Sequence, residues 1–252
     1  MNANLLIKMP KWPALFAGLL MSVVAMSSAM AESYHDSDQN MMLELKFGPF
    51  HPSLDSEFSN GQTPFADTFG GGDFLLSRLE IDYQFLRSYG SLAAGGTIGY
   101  SGMTGHGIMA DGTKSSDHTK MHIVPLSLDA VYRMDIAARR FGVPFVPYVK
   151  GGFDYYLWWI TNGVGKVPKV SVNGGPSCNG SGGTWGGHVV FGLSFLLDAM
   201  SPGMAQTFDV DVGVNNTYLF AEYSMNWVDD FGSKSSFDLS SNTFQFGIAF
   251  EF

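Results

Sequence analysis

Beyond residue 31 the sequence has no uninterrupted apolar run long enough to cross a bilayer as a helix, which takes about 20 residues. It has one cysteine, Cys178, so it forms no internal disulfide and is not a disulfide scaffold. Charge is sparse at 15% of residues, and positive charge sparser still, with 14 Lys and Arg against 23 Asp and Glu. That shortage argues against a nucleic-acid partner, which would call for basic patches. The glycine runs at Gly70–Gly72 and Gly180–Gly183 lack a strand–loop–helix context and are not phosphate loops. What the chain does have is glycine, 31 residues, and aromatic side chains at 14%. Abundant aromatics without a long apolar helix fit a transmembrane barrel, whose hydrophobic signal is diluted by alternation.

Lys8 and Lys11 precede an apolar run from Ala14 to Met26, and Ala29-x-Ala31 follows before Glu32. A basic start, about a dozen apolar residues and a small-residue site predict a cleaved secretory signal peptide over residues 1–31. No cysteine follows that site, which argues against a lipoprotein anchor. The expected mature domain is residues 32–252, one barrel domain with 12 basic and 23 acidic residues and a net charge of about −11.

The sharpest pattern closes the chain. Asn242, Phe244, Phe246, Ile248, Phe250 and Phe252 share one face of an extended segment, while Thr243, Gln245, Gly247, Ala249 and Glu251 share the other. Seven further alternating segments precede it, over about 41–49, 73–86, 89–101, 119–136, 145–160, 184–198 and 216–228. Arg78, Glu80, Asp82 and Gln84 fall on one face of the second, and four such side chains cannot line an apolar core. The inner face of the third is nearly bare, with Ala93, Gly95, Thr97 and Gly99, leaving room for long neighbours. Pro125 is expected to mark a bulge. The fold class is therefore all-β: an up-and-down antiparallel transmembrane barrel of eight strands, or ten if Lys166 to Val172 pairs within its loop. Short connections after strands two and four alternate with long ones after one, three and five, as periplasmic turns alternate with external loops. The long connection 198–215 breaks that rule, and its first half is expected to form a helical turn beneath the barrel. Tyr100, Trp158, Trp159, Trp185 and Trp227 are expected in an outer aromatic belt, with Tyr83, Phe85, Tyr132, Phe145, Tyr148 and Phe252 in an inner one.

Gln245, Gly247, Phe250 and Phe252 resemble the C-terminal insertion signal of bacterial outer-membrane barrels. The chain as a whole is similar to small Gram-negative outer-membrane β-barrel proteins of the OmpA membrane-domain, OmpX and OmpW type. Residues 213–223 with the last strand also resemble an uncharacterised proteobacterial family of such barrels. The resemblance implies residence in the outer membrane, with outer-membrane lipid and the barrel-assembly machinery as partners.

Lys46, Glu80, Asp129, Lys150 and Glu222 should reach similar heights inside the barrel, and with Arg78, Arg133 and Asp154 they predict a plug of ion pairs. A narrow porin-like channel is the alternative, and the interior excess of acids would make it favour cations. His188 and Glu222, with Ser194 or Ser224, offer a second alternative, a lipid-modifying enzyme, but no nucleophile motif accompanies them. His118, His122 and Asp117 could bind metal on a helix; in a strand or loop that spacing points to solvated side chains. The reading is thus a non-enzymatic barrel of structural or surface-interaction type, without catalytic, cofactor or metal residues. Its loops Phe50–Gly72 and Thr161–Gly183 would meet an unidentified ligand, and its oligomeric state is open.

Overall fold

The computed structural model describes residues 40–58, 61–109, 112–170, 178–200, 213–233 and 236–252. The signal peptide expected over residues 1–31 lies outside them. Eight antiparallel strands close into one barrel in chain order: β1 (Met41–Phe50), β2 (Phe74–Arg87), β3 (Ser91–Ile108), β4 (Lys114–Arg133), β5 (Phe145–Thr161), β6 (Ser181–Leu196), β7 (Asn216–Trp227) and β8 (Ser241–Glu251). Lys169–Val170 does pair with Cys178–Asn179, but as a separate two-residue ladder outside the wall, so the ten-stranded alternative is wrong.

Strict period-two patterning decides which way each strand faces, because adjacent side chains leave opposite sides of the sheet. Leu128, Phe153, Leu75, Phe246 and Phe244 stand on the outer face with 59–70% of their surface exposed, while Glu44, Asp82 and Asp154 on the inner face are fully enclosed. So broad an apolar exterior would be untenable in water and is the natural surface against hydrocarbon chains. No helix among the described residues is long and apolar enough to cross a membrane.

Glycines on the inner face make room for the charged side chains. A Cβ on Gly95 would overlap Asp82 Oδ1, and one on Gly99 would lie 2.9 Å from Arg78 Cγ. On β8, a Cβ on Gly247 would overlap the Leu45 carbonyl and come within 2.5 Å of the Phe220 ring.

Three local expectations need correction. Pro125 does not create a bulge: the β3–β4 pairing skips it, yet Ile98↔Leu126 and Ser101↔Ile123 keep one register. The bulges lie instead between Gln84 and Leu86 and between His106 and Ile108. The third connection is not a long loop, because β3 and β4 continue as a hairpin to Ile108 and Lys114. At 18 and 20 residues they far exceed the roughly 9–11 needed to span a bilayer. Finally, Trp158 and Tyr148 point inward, with Trp158 on Phe237 and Tyr148 among the ion pairs, so neither belongs to an aromatic belt. Tyr100, Trp185 and Trp227, and Tyr83, Phe85, Tyr132 and Phe145, are exposed on the outer face.

The opposite end carries a tight turn at residues 88–90, the helix α2 (Ile136–Phe141) and a 3-10 turn at Leu197–Ala199. That last turn begins the long connection, and Asp198 accepts a hydrogen bond from the Thr217 amide at 3.2 Å; residues 201–212 lie outside the described set. The barrel closes where β1 meets β8. That ladder runs only from Met42↔Glu251 to Phe47↔Phe246, with Met41 and Phe252 exchanging amide bonds of 3.2 and 2.8 Å at its lower end.

Candidate functional site: the barrel interior and its outer mouth

The interior is filled in layers. At its centre Lys46 Nζ lies 2.5 Å from Glu80, 3.0 Å from Glu222 and 3.7 Å from Glu44. Lys150 Nζ donates to Glu44 and Glu80, both at 2.6 Å. Arg133 pairs with Glu44 and, at 3.1 Å, with Asp82, and it lies over the Tyr148 ring, which also faces Lys150 at 5.2 Å. The Tyr148 hydroxyl donates to Glu222 at 3.0 Å. Glu44, Glu80 and Asp82 approach one another closely enough to hold a cation, but Lys46, Lys150 and Arg133 already supply the positive charge there.

A second group, drawn from β2 to β6, adjoins the first. His188 Nε2 is 2.8 Å from Asp129, and its Nδ1 is 3.1 Å from Asp154. Thr97 donates to Asp129 at 2.8 Å and Ser127 to Asp154 at 2.5 Å. Arg78 finds a hydroxyl rather than a carboxylate, donating to Tyr156 at 2.6 Å. With both His188 nitrogens facing carboxylates and Glu222 held by Lys46 and Tyr148, the triad weighed from sequence is not assembled with Ser194 or Ser224. His118 and His122 do not come together either. His118 faces His106 at 4.6 Å between ring centroids, and His122 stacks on Trp159.

All eight interior residues singled out from sequence, Lys46, Arg78, Glu80, Asp129, Arg133, Lys150, Asp154 and Glu222, are enclosed by the wall. Glu44, Asp82, Tyr148, Tyr156 and His188 join that network beyond the eight expected from sequence. Parity places Glu44, Asp82, Tyr148 and Tyr156 there, each an even number of positions from one of the eight on its strand, and His188 shares the inner face of β6 with Gly186, Gly192 and Ser194.

Below the ions, Glu251 gathers Arg87 at 2.5 Å, Gln84 at 3.1 Å, Asn216 at 2.8 Å and Tyr218 at 3.1 Å, fastening β8 to β2 and β7. Above them the barrel turns apolar. Phe50, Leu76, Met103, Met121, Ile123 and Tyr156 of the wall pack against Leu54 and Phe65 from the first connection and Val228 and Leu239 from the last. The first connection therefore folds into the mouth rather than away from it. A 3-10 turn (Leu54–Glu57) and the helix α1 (Pro64–Phe69) form there, and the Asp55 carboxylate accepts the Phe65 and Ala66 amides at 2.8 and 3.0 Å. Ser53 and Ser56 bind Ser240 and Asp238, stitching the two connections together. The hints in the sequence are Leu54 and Phe58, and Phe65 and Phe69 behind Pro64, each pair four apart in a stretch rich in polar residues.

No protein-family model matches the chain, and no curated protein sequence matches it. Among solved structures it is similar to Neisserial surface protein A (NspA), at 14% identity over 84% of this chain and 96% of that one, TM-score 0.43. It is also similar to Ail, the attachment invasion locus protein of Yersinia pestis, crystallised with the heparin analogue sucrose octasulfate, at 12% identity over 84% and 97%, TM-score 0.41. The outer membrane protein OprG from Pseudomonas aeruginosa gives 11% identity over 84% and 95%, TM-score 0.45. What makes this chain a membrane barrel is its own inverted polarity, greasy without and ionic within.

Proposed function

We propose that the protein is a sealed, non-enzymatic barrel of the Gram-negative outer membrane, serving a structural and surface-interaction role. Residues 1–31 act as its export signal, and Gln245, Gly247, Phe250 and Phe252 are read by the assembly machinery. The single observation that carries the reading is the filled lumen: an apolar cork of Phe50, Leu54, Phe65 and Leu239 above a layer of ion pairs around Lys46 and Lys150. Ions would have to displace both. The cork end faces the exterior and the end with residues 88–90 and α2 faces the periplasm. The contact surface is then the projecting β3–β4 hairpin with the connection 162–180, rather than the first connection, much of which is committed to the cork.

Planar-bilayer recording of the refolded protein tests this directly. The expected trace is electrically silent, and reproducible stepwise currents from the wild type would replace the sealed barrel with a channel. Protease added to intact cells should cut within residues 109–113 and leave 134–144 untouched; the reverse would invert the orientation.

A further inference from the structure

Two clefts on the outer face of the wall lie along β3 and β4, each over an outward glycine. The upper one, about 370 Å³, opens over Gly102, with Leu75 on one side, Tyr100 and His122 on the other, and Thr104 and Lys120 beyond. The β3–β4 register sets Gly102 opposite His122 and Thr104 opposite Lys120, so these polar groups share the outward face near the level of the upper aromatics. His122 is held in place. Its ring stacks on Trp159, with centroids 5.1 Å apart and 15° between planes, and its Nδ1 lies 2.7 Å from the Tyr100 hydroxyl. A hydroxyl donated to Nδ1 leaves the ring hydrogen on Nε2, available to an acceptor.

The lower groove, about 480 Å³, passes Gly96 between Ile98 and Leu126 on one side and Phe153 and Trp185 on the other. Gly96 is open space: a Cβ there would meet only the Ser127 carbonyl, at 3.7 Å. Ile98 and Tyr100 are successive outward positions of β3, so the apolar groove leads up to the cationic, hydrogen-bonding cleft. A soluble anion would use only the upper half of this surface and a purely apolar ligand only the lower. The combination fits an amphiphile, with an anionic group at the interface and a chain in the hydrocarbon.

We propose that this face binds one anionic, phosphate-bearing membrane lipid, its headgroup held by Lys120, His122 and Thr104 and one acyl chain laid along the Gly96 groove. The assignment rests on the outer-membrane reading above, since only then does this face meet lipid. The test takes the full chain, exported and extracted in mild detergent, mixes it with micelles of phosphatidic acid and phosphatidylcholine, and weighs the complexes by native mass spectrometry. Wild-type protein should retain one phosphatidic acid, and Lys120→Gln/His122→Gln should lower that retention roughly tenfold, as befits loss of charge-assisted contacts. Gly96→Leu, which fills the groove and leaves the cleft intact, should lower it by a similar, roughly tenfold factor. Excess inorganic phosphate should not compete. Equal retention of both lipids, an unaffected double variant, or displacement by inorganic phosphate together with an indifferent Gly96→Leu would each overturn the proposal. Folded variants keep the heat-dependent gel shift of a barrel; wild-type protein that never shows the shift would instead overturn the outer-membrane reading itself.

Discussion

Replacing Lys150 by methionine would leave Glu44 and Glu80 without the ammonium that lies 2.6 Å from each. Breaking one partner of an enclosed ion pair typically costs about 3–5 kcal/mol, whereas replacing the whole set by neutral groups can be nearly free. Lys150→Met should therefore lower the unfolding free energy from urea titration of the heat-modifiable form by that order, and Lys150→Met/Glu44→Gln/Glu80→Gln should recover much of the loss. If the triple variant is no better than the single one, the ionic layer is not acting as a balanced set. Space is as strictly set as charge. Gly95→Leu should fail to close the barrel because its side chain would overlap Asp82, while Ala94→Leu, one position along and facing outward, should fold normally; both are read from the gel shift.

At the scale of elements, the β3–β4 hairpin is long for a different reason from the rest of the wall. Above Met103 and Met121, whose side chains join the cork, the hairpin has few apolar residues to alternate with polar ones, and backbone pairing with the His106–His118 ring contact keeps it extended. Replacing residues 107–117 with an Asn-Gly turn between His106 and His118 should leave insertion and the gel shift intact, because that pair already stands face to face. Loss of the folded band would show that the hairpin stabilises the barrel beneath it. The same physics explains what could be read in the sequence. The faces of all eight strands were legible from Leu79, Glu80, Ile81 and Asp82 and their counterparts, because a boundary between lipid and ions writes itself into every second residue. The hairpin ends were not, since polar residues on both faces look like loop. Nor was the cork, because burial of Leu54 and Phe65 comes from a connection doubling back, which no local period records. The interior is half legible: the charges around Lys46 stand out, while the chemistry of Tyr148 and Trp158 suggests belts although their parity places them inside, Tyr148 among the ions and Trp158 on Phe237.

For the molecule as a whole, the lumen is stopped twice by different means, and the two stoppers should fail independently. Phe50→Ser/Phe65→Ser disrupts the apolar mouth, yet the protein should stay electrically silent because Lys46, Lys150 and Arg133 still bridge the acids below. Adding Lys150→Met and Arg133→Met should produce a small cation-favouring conductance in planar bilayers, since Asp82 then loses its cation and Glu44 and Glu80 keep only Lys46. Current from the mouth variant alone would show that the cork is the whole seal.

The join between β1 and β8 has a mechanical corollary. It is the shortest stitch in the hoop, ending at Phe47↔Phe246, while β3 and β4 are sewn from Ser91↔Arg133 up to Ile108↔Lys114. A cylinder pulled or heated tears where the fewest threads hold. This one should unroll from the terminal hem, leaving the middle of the cloth the last to part.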